Sequence, residues 1–315
     1  MDLHSIEDVV ENFEPPGHAS RRLRAHTFFG NLRDDLVTLA YGREWVLRSP
    51  TMVTTDSRGR LIIADPQQHA VHVLEPKGRS SFRIAGGPQL RLRAPSSVAV
   101  DAEDNIYVAD SQKGLVLVFD PQGYYVRSIG MIADESMFQY PEAIAVDRKL
   151  KRIYVLDAPM HELVILDLSG RLIRRIGGLR DKNSRFVNPL QIAVGENRFF
   201  VLENSGSRIL VFSPDGDVLG GFPIPNQENS PQVHATAIAL DAAGNIYLSN
   251  PVGSRVEILT SDGKPLGILG QAGINAGDFS SPAGLCIDSA GRLYVADTLN
   301  RRVQMFKLSS LESGS

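Results

Sequence analysis

The chain has 315 residues, 43% hydrophobic and 22% charged, a composition that excludes a disordered or collagen-like polypeptide. Thirty-three Lys and Arg against 36 Asp and Glu leave a net charge of −3, which disfavours a protein whose main task is to grip phosphate backbones. The single cysteine, Cys286, excludes an intrachain disulfide and a thiolate metal cluster, and the longest uninterrupted apolar run, Leu115–Phe119, is far too short to cross a bilayer.

Residues 1–35 form an extension. Ser5-Ile6-Glu7-Asp8 is like a capping box with Asp in place of Glu, and Ile6, Val9, Val10 and Phe13 follow at helical spacing. A short amphipathic helix is therefore expected, ended by Pro15-Pro16-Gly17. A basic stretch with Arg21, Arg22, Arg24 and His26 comes next. It reads as a strap on the outside of the following domain, with a partner- or anion-binding arm as the alternative. The chain as given holds no signal-peptide apolar core, so a cytoplasmic location is the direct reading, and an exported one if a signal has been removed.

Beyond the extension one pattern recurs. LIIAD (61–65) returns as IYVAD (106–110), IYVLD (153–157), FFVLE (199–203), IYLSN (246–250) and LYVAD (293–297). The last residues, Asp65, Asp110, Asp157, Glu203, Asn250 and Asp297, are spaced by 45, 47, 46, 47 and 47. Each unit opens with a short apolar strand, usually after a proline (Pro50, Pro95, Pro141, Pro189, Pro282). Turns such as DAAGN (241–245) and DSAGR (288–292) lead into the recurring string, with Asp and Gly placed as a type I turn requires. A third strand follows (AVHVL, LVLVF, LVIL, ILVF, VEIL, VQMF), then a second turn such as DPQG, then a fourth strand ending in glycine. Four short antiparallel strands at this period predict an all-β, six-bladed β-propeller over residues 36–308, with 309–315 as a tail. The sixth unit lacks a fourth strand, and Leu36–Gly42 has the pattern of one. The N-terminal strand is therefore expected to close the last blade, which removes two open edges.

YVADSQKGLVLVFDPQG (107–123) and YVADTLNRRVQMF (294–306) resemble the repeat of the NHL family, and NSGSRILVFSPDG (204–216) and NPVGSRVEILTSDG (250–263) are looser copies. The resemblance spans about residues 36–307 and implies the same six blades. It leaves the task open, because relatives include binding scaffolds, RNA-binding modules, extracellular sensor domains, lyases and lactonase-like enzymes.

Residues that repeat with the fold read as structural. Asp65, Asp110, Asp157 and Asp297 are expected to accept backbone N–H groups across the following turn and to pair with residues such as Arg302, while Asp56, Asp101, Asp147, Asp241 and Asp288 hold the first hairpins. Function belongs where the units differ. Strand openings and the loops after second strands share one face, and among the opening positions only Glu142 is ionisable. Gln191 and His234 lie nearby in neighbouring units, but one Glu, one Gln and one His do not make a calcium or zinc cage. The inter-blade loops 42–50 and 87–95 carry Arg43, Trp45, Arg48, Arg91 and Arg93, a basic patch suited to an acidic peptide, a glycan or a nucleic-acid strand. Met137, Phe138 and Tyr140 are expected to add an apolar rim. The sequence holds no histidine pair with metal spacing and no nucleophile elbow. The leading expectation is a monomeric, non-enzymatic scaffold without cofactor or metal, presenting its loop face to a protein or peptide. The alternatives are a lyase or lactonase-like enzyme with a divalent cation in the channel, and an RNA-binding NHL module.

Overall fold

Each repeat folds as a four-stranded antiparallel sheet. The computed structural model describes residues 47–308 apart from 76–80, 87–89, 133–134, 179–185, 204–207 and 226–233; ahead of residue 47 it describes the backbone of Arg24–Thr27, Gly30–Arg33 and Leu36–Thr38. Blade 1 runs Met52–Thr55, Leu61–Asp65, Ala70–Leu74 and Phe82–Ile84, from axis to rim. Blade 2 runs Pro95–Val100, Ile106–Asp110, Leu115–Phe119 and Tyr125–Ile129. Blade 3 runs Pro141–Asp147, Arg152–Asp157, Glu162–Asp167 and Leu172–Gly177. Blade 4 runs Pro189–Val194, Phe199–Glu203, Arg208–Phe212 and Val218–Pro223. Blade 5 runs Ala237–Leu240, Ile246–Asn250, Arg255–Leu259 and Pro265–Leu269. Blade 6 runs Pro282–Ile287, Arg292–Asp297 and Arg302–Lys307, with Leu36–Thr38 as its outer strand.

Second strands read as unbroken apolar runs because both of their faces are covered. Leu61, Ile62, Ile63 and Ala64 are all fully buried. The core is a set of seams between stacked blades. In one, Val71 and Val73 of blade 1 pack with Val98, Ile106 and Val108 of blade 2. Innermost strands contact their neighbours all round the ring. Between blades 6 and 1 the Gly284 N–H donates to the Thr51 carbonyl at 2.9 Å, and the Thr298 hydroxyl to the Pro50 carbonyl at 2.7 Å. Position 284 must be glycine, since a Cβ there would stand 2.5 Å from Met52 Cα.

The first hairpins close as their sequences require. Asp101 Oδ1 accepts the Glu103 and Asn105 N–H groups at 3.0 and 2.8 Å, and Asp241 repeats this with Ala243 and Asn245. The acids ending the second strands meet the expected partners and add others that the sequence did not indicate. Asp65 accepts the Gln68 N–H across the following turn at 3.2 Å and Asp297 pairs with Arg302 at 2.8 Å, while further partners lie in the segment entering the blade. Asp65 takes the Arg48 N–H at 2.7 Å, Asp110 those of Arg93 and Ala94 at 2.7 and 2.9 Å, and Asp297 that of Ser280 at 2.7 Å. The reason is geometric: the second strand lies beside the first, so its last residue faces the entering chain. Each acid thereby ties one blade to its predecessor's exit loop.

Leu36 lies opposite Phe306 and Thr38 opposite Gln304, antiparallel. Residues 39–42 of the expected strand lie outside the described residues, as does the expected helix at 6–13. In the basic stretch, Arg24–Thr27 and Gly30–Arg33 pair as a hairpin where the sequence suggested only a strap.

Candidate functional site

The face bearing the inter-blade connections and the loops after second strands is called the loop face here. Its axis is not an open tube. Gln191 of blade 4 and Met52 of blade 1, from opposite sides of the ring, meet with Nε2 3.5 Å from Sδ, and both are buried. The Gln191 Oε1 also accepts the Ile192 N–H at 2.9 Å. At the opposite mouth Arg148 donates to the Val100 and Thr55 carbonyls at 3.0 and 2.8 Å, stitching three blades together. Cys286, on the innermost strand of blade 6, is a partly buried thiol whose pKa is pushed up by desolvation, so it stays protonated and unreactive.

Glu142 stands above this closure. The ladder of blade 3 shifts between Pro141 and Ala143, so Glu142 has no ladder partner. The same shift occurs in blades 2, 4 and 6, but there the freed residue is otherwise occupied or apolar. Ser96 donates to the Pro141 carbonyl at 3.0 Å, while Leu190 and Ala283 offer nothing polar. Glu142 makes no hydrogen bond or ion pair with any described residue. It lines an open depression of about 450 Å³ with Tyr140, Ala158, Pro159, His161 and Asn188. Partial burial raises its carboxyl pKa. A raised acid pKa favours the protonated folded state. That stabilisation is complete at low pH and is lost as pH climbs through the folded-state value. Glu142→Gln is therefore expected to raise the thermal midpoint at pH 7 and to leave it unchanged at pH 3, measured by calorimetry at both values.

Of the residues singled out from sequence, Arg48, Arg91 and Arg93 are exposed on the loop face of blades 1 and 2. Arg43 and Trp45 lie outside the described residues. Tyr140 is exposed and borders the depression. Phe138 corrects the expected apolar rim: it is buried, packed beneath Gly130, where a Cβ would come within 2.8 Å of its ring. His234 is exposed at the entry to blade 5, and neither it nor Gln191 lines the depression with Glu142. Among the described residues no three His, Cys, Asp or Glu side chains converge as a metal site. His161 and Asn188 were not anticipated. His161 sits in the loop after the second strand of blade 3 in the left-handed region at φ 50°, with its Nδ1 buried and unpartnered.

Charge is distributed unevenly over the two faces. On the hairpin face, Arg60, Arg152, Arg174 and Arg292 each pair with an aspartate at 2.5–2.8 Å. On the loop face, Arg301 of blade 6, Arg48 of blade 1, and Arg91, Arg93 and Lys113 of blade 2 use their side chains in no hydrogen bond or ion pair with any described residue. They form an arc of free cations over three consecutive blades, ending beside the blade that carries Glu142.

Known proteins agree with this architecture. A family described as a 6-bladed beta-propeller matches residues 91–178, and the NHL repeat matches residues 279–306. No curated protein matches the chain. Among solved structures, a gluconolactonase from Xanthomonas campestris superposes with a TM-score of 0.66 at 17% identity, covering 88% of this chain and 90% of its own. A streptogramin B lyase gives 0.61 at 13% identity, covering 92% and 100%. A protein of unknown function from Bacteroides thetaiotaomicron gives 0.66 at 15% identity, covering 87% and 72%. At these identities the likeness carries the fold alone. No helix among the described residues is long and apolar enough to cross a membrane. The chain is a six-bladed β-propeller whose last blade carries an NHL repeat.

Proposed function

We propose that the propeller is a binding module whose loop face receives a protein or peptide through an acidic segment. The observation that carries this reading is the arc of unspent cations, Arg301, Arg48, Arg91, Arg93 and Lys113, on a protein that is acidic overall. Cations elsewhere are largely neutralised by neighbours, whereas these are held by rigid blade edges and left for an outside anion. A rigid frame orders the arginines in advance, so a partner loses less entropy on docking. Arginine in particular suits carboxylate recognition, because its planar fork donates to both oxygens at once.

The test uses a fluorescein-labelled ten-residue glutamate peptide, read by anisotropy over a salt series. The triple variant Arg48→Glu, Arg91→Glu, Arg93→Glu is expected to bind it about tenfold or more weakly. Its unfolding free energy should stay within about 1 kcal/mol of the parent, since the three side chains are exposed. Equal binding by parent and variant overturns the reading. A single-stranded RNA arm is run beside it. Tight RNA binding with a steep salt slope, and no peptide binding, would transfer the arc to nucleic acid.

A further inference from the structure

We propose that the depression at Glu142 is a socket for the cationic end of a lysine or arginine side chain, a specificity pocket beside the acidic-segment site. The inference rests on the binding-module reading of the loop face and names a second element that such a partner would carry.

Three observations lead to it. First, the register shift after Pro141 leaves Glu142 without a ladder partner, and no described residue gives its carboxylate a hydrogen bond or an ion pair. A half-buried carboxylate is costly to leave unpaired, and in five other blades the matching position is neutral. Second, the described residues of the lining are rich in acceptors and include no lysine or arginine. The Asn188 side-chain oxygen, the Tyr140 hydroxyl and the Glu142 carboxylate can each accept from a nitrogen bearing several N–H groups. Third, the walls at Ala158, Pro159 and the Tyr140 ring are apolar, which suits the methylene stem behind a charged tip.

The chemistry of the lining separates this ligand from others. An anion would meet the Glu142 charge. A calcium ion would need six to eight oxygens, and the described residues of the lining supply one carboxylate. A neutral apolar group would leave that carboxylate desolvated and unpaired. An organic cation on an apolar stem satisfies both the charge and the walls. Its neighbour, the arc over blades 6, 1 and 2, has the opposite sign. The partner segment is therefore one in which an acidic run is followed or preceded by a basic residue.

The experiment titrates the full chain with three small probes: Nα-acetyl-lysine N-methylamide, its arginine counterpart and its norleucine counterpart. NMR signals of the Asn188 side-chain amide and the His161 ring report occupancy. The lysine or arginine probe, or both, is expected to shift these signals saturably, with norleucine at least about tenfold weaker. Glu142→Gln is expected to remove that preference, while its backbone spectrum stays that of the folded parent. Norleucine binding as well as the basic probes, or Glu142→Gln keeping the preference, overturns the socket. The relative response to the lysine and arginine probes then fixes which cation is preferred. Because no probe carries an acidic group, the glutamate-peptide titration reads the arc separately, and either site can fail while the other stands.

Discussion

Replacing Asp297 by Ala is expected to destabilise the propeller by about 3–5 kcal/mol, a loss typical of removing one partner from a buried ionic network. The carboxylate is fully buried and serves four donors. Its Oδ1 accepts the Ser280 N–H at 2.7 Å, and its Oδ2 accepts from Asn300, Arg302 and Gln304 at 2.8, 2.8 and 3.0 Å. Arg302 in turn donates to the carbonyls of Ile274, Asn275 and Asp278, and Gln304 holds the Gly277 N–H and the Asp278 carbonyl. Asp297 thus fixes the connection from blade 5 to blade 6 as well as its own strand end. Alanine leaves the Ser280 N–H unanswered and the fully buried Gln304 amide one acceptor short. Chemical denaturation of the purified variant measures the loss. Asp297→Asn, which keeps an acceptor oxygen, should recover part of it. The double variant Asp297→Ala, Arg302→Ala should be less unstable than the two single losses added, because the second change removes the stranded cation. A loss under about 1 kcal/mol for Asp297→Ala would mean the latch holds no net energy.

This latch shows where sequence reading succeeds and where it stops. The period of the recurring strings placed the acids at one structural position, because a propeller repeats its backbone every blade. The partners in the following turn and Arg302 are found where expected, but those in the entering segment are not legible from spacing. Spacing along the chain shows the turn that follows an acid but not the segment that folds back from 17 residues earlier. The site was legible to a similar depth. Glu142 stands out because five matching positions carry no charge, and the exposed arginines stand out because they interrupt loops between strands. His161 matches His69 as the fourth residue after the strand-ending acid, which reads as part of the repeat, and Asn188 carries no pattern that marks it. A rule was nonetheless available: loops after second strands share a face with strand openings, so the Ala158–His161 loop had to border Glu142. Phe138 misled because a hydrophobic residue in a long inter-blade loop looks the same whether it faces solvent or fills the hollow under a glycine. Only the fold-back at Gly130 distinguishes the two.

Phe199→Ala is the second large expected loss, about 3–5 kcal/mol for truncating a buried phenylalanine. Its ring is fully buried at the seam of blades 3 and 4. It lies 4.6 Å from the Tyr154 ring and 5.1 Å from Phe212, and it is stacked within 8° on the latter. Phe186 extends the cluster, 5.8 Å from Phe212. The matching positions in the other blades are Leu61, Ile106, Ile153, Ile246 and Leu293, so blade 4 alone fills this place with an aromatic ring. Rings linked in a row from Tyr154 through Phe199 and Phe212 to Phe186 cannot collapse into the space an alanine leaves as flexible aliphatic chains can, so the cavity persists and its cost is retained. Phe199→Ala should therefore exceed Ile246→Ala in the same denaturation experiment, although the backbone sites are equivalent. Phe199→Leu, which makes the seam resemble its neighbours, should restore most of the loss. Equal losses for Phe199→Ala and Ile246→Ala would show that backbone position alone sets the cost and that the aromatic cluster adds nothing. A larger loss at Phe199 would show that the seam of blades 3 and 4 is packed more tightly there than the equivalent place in blade 5.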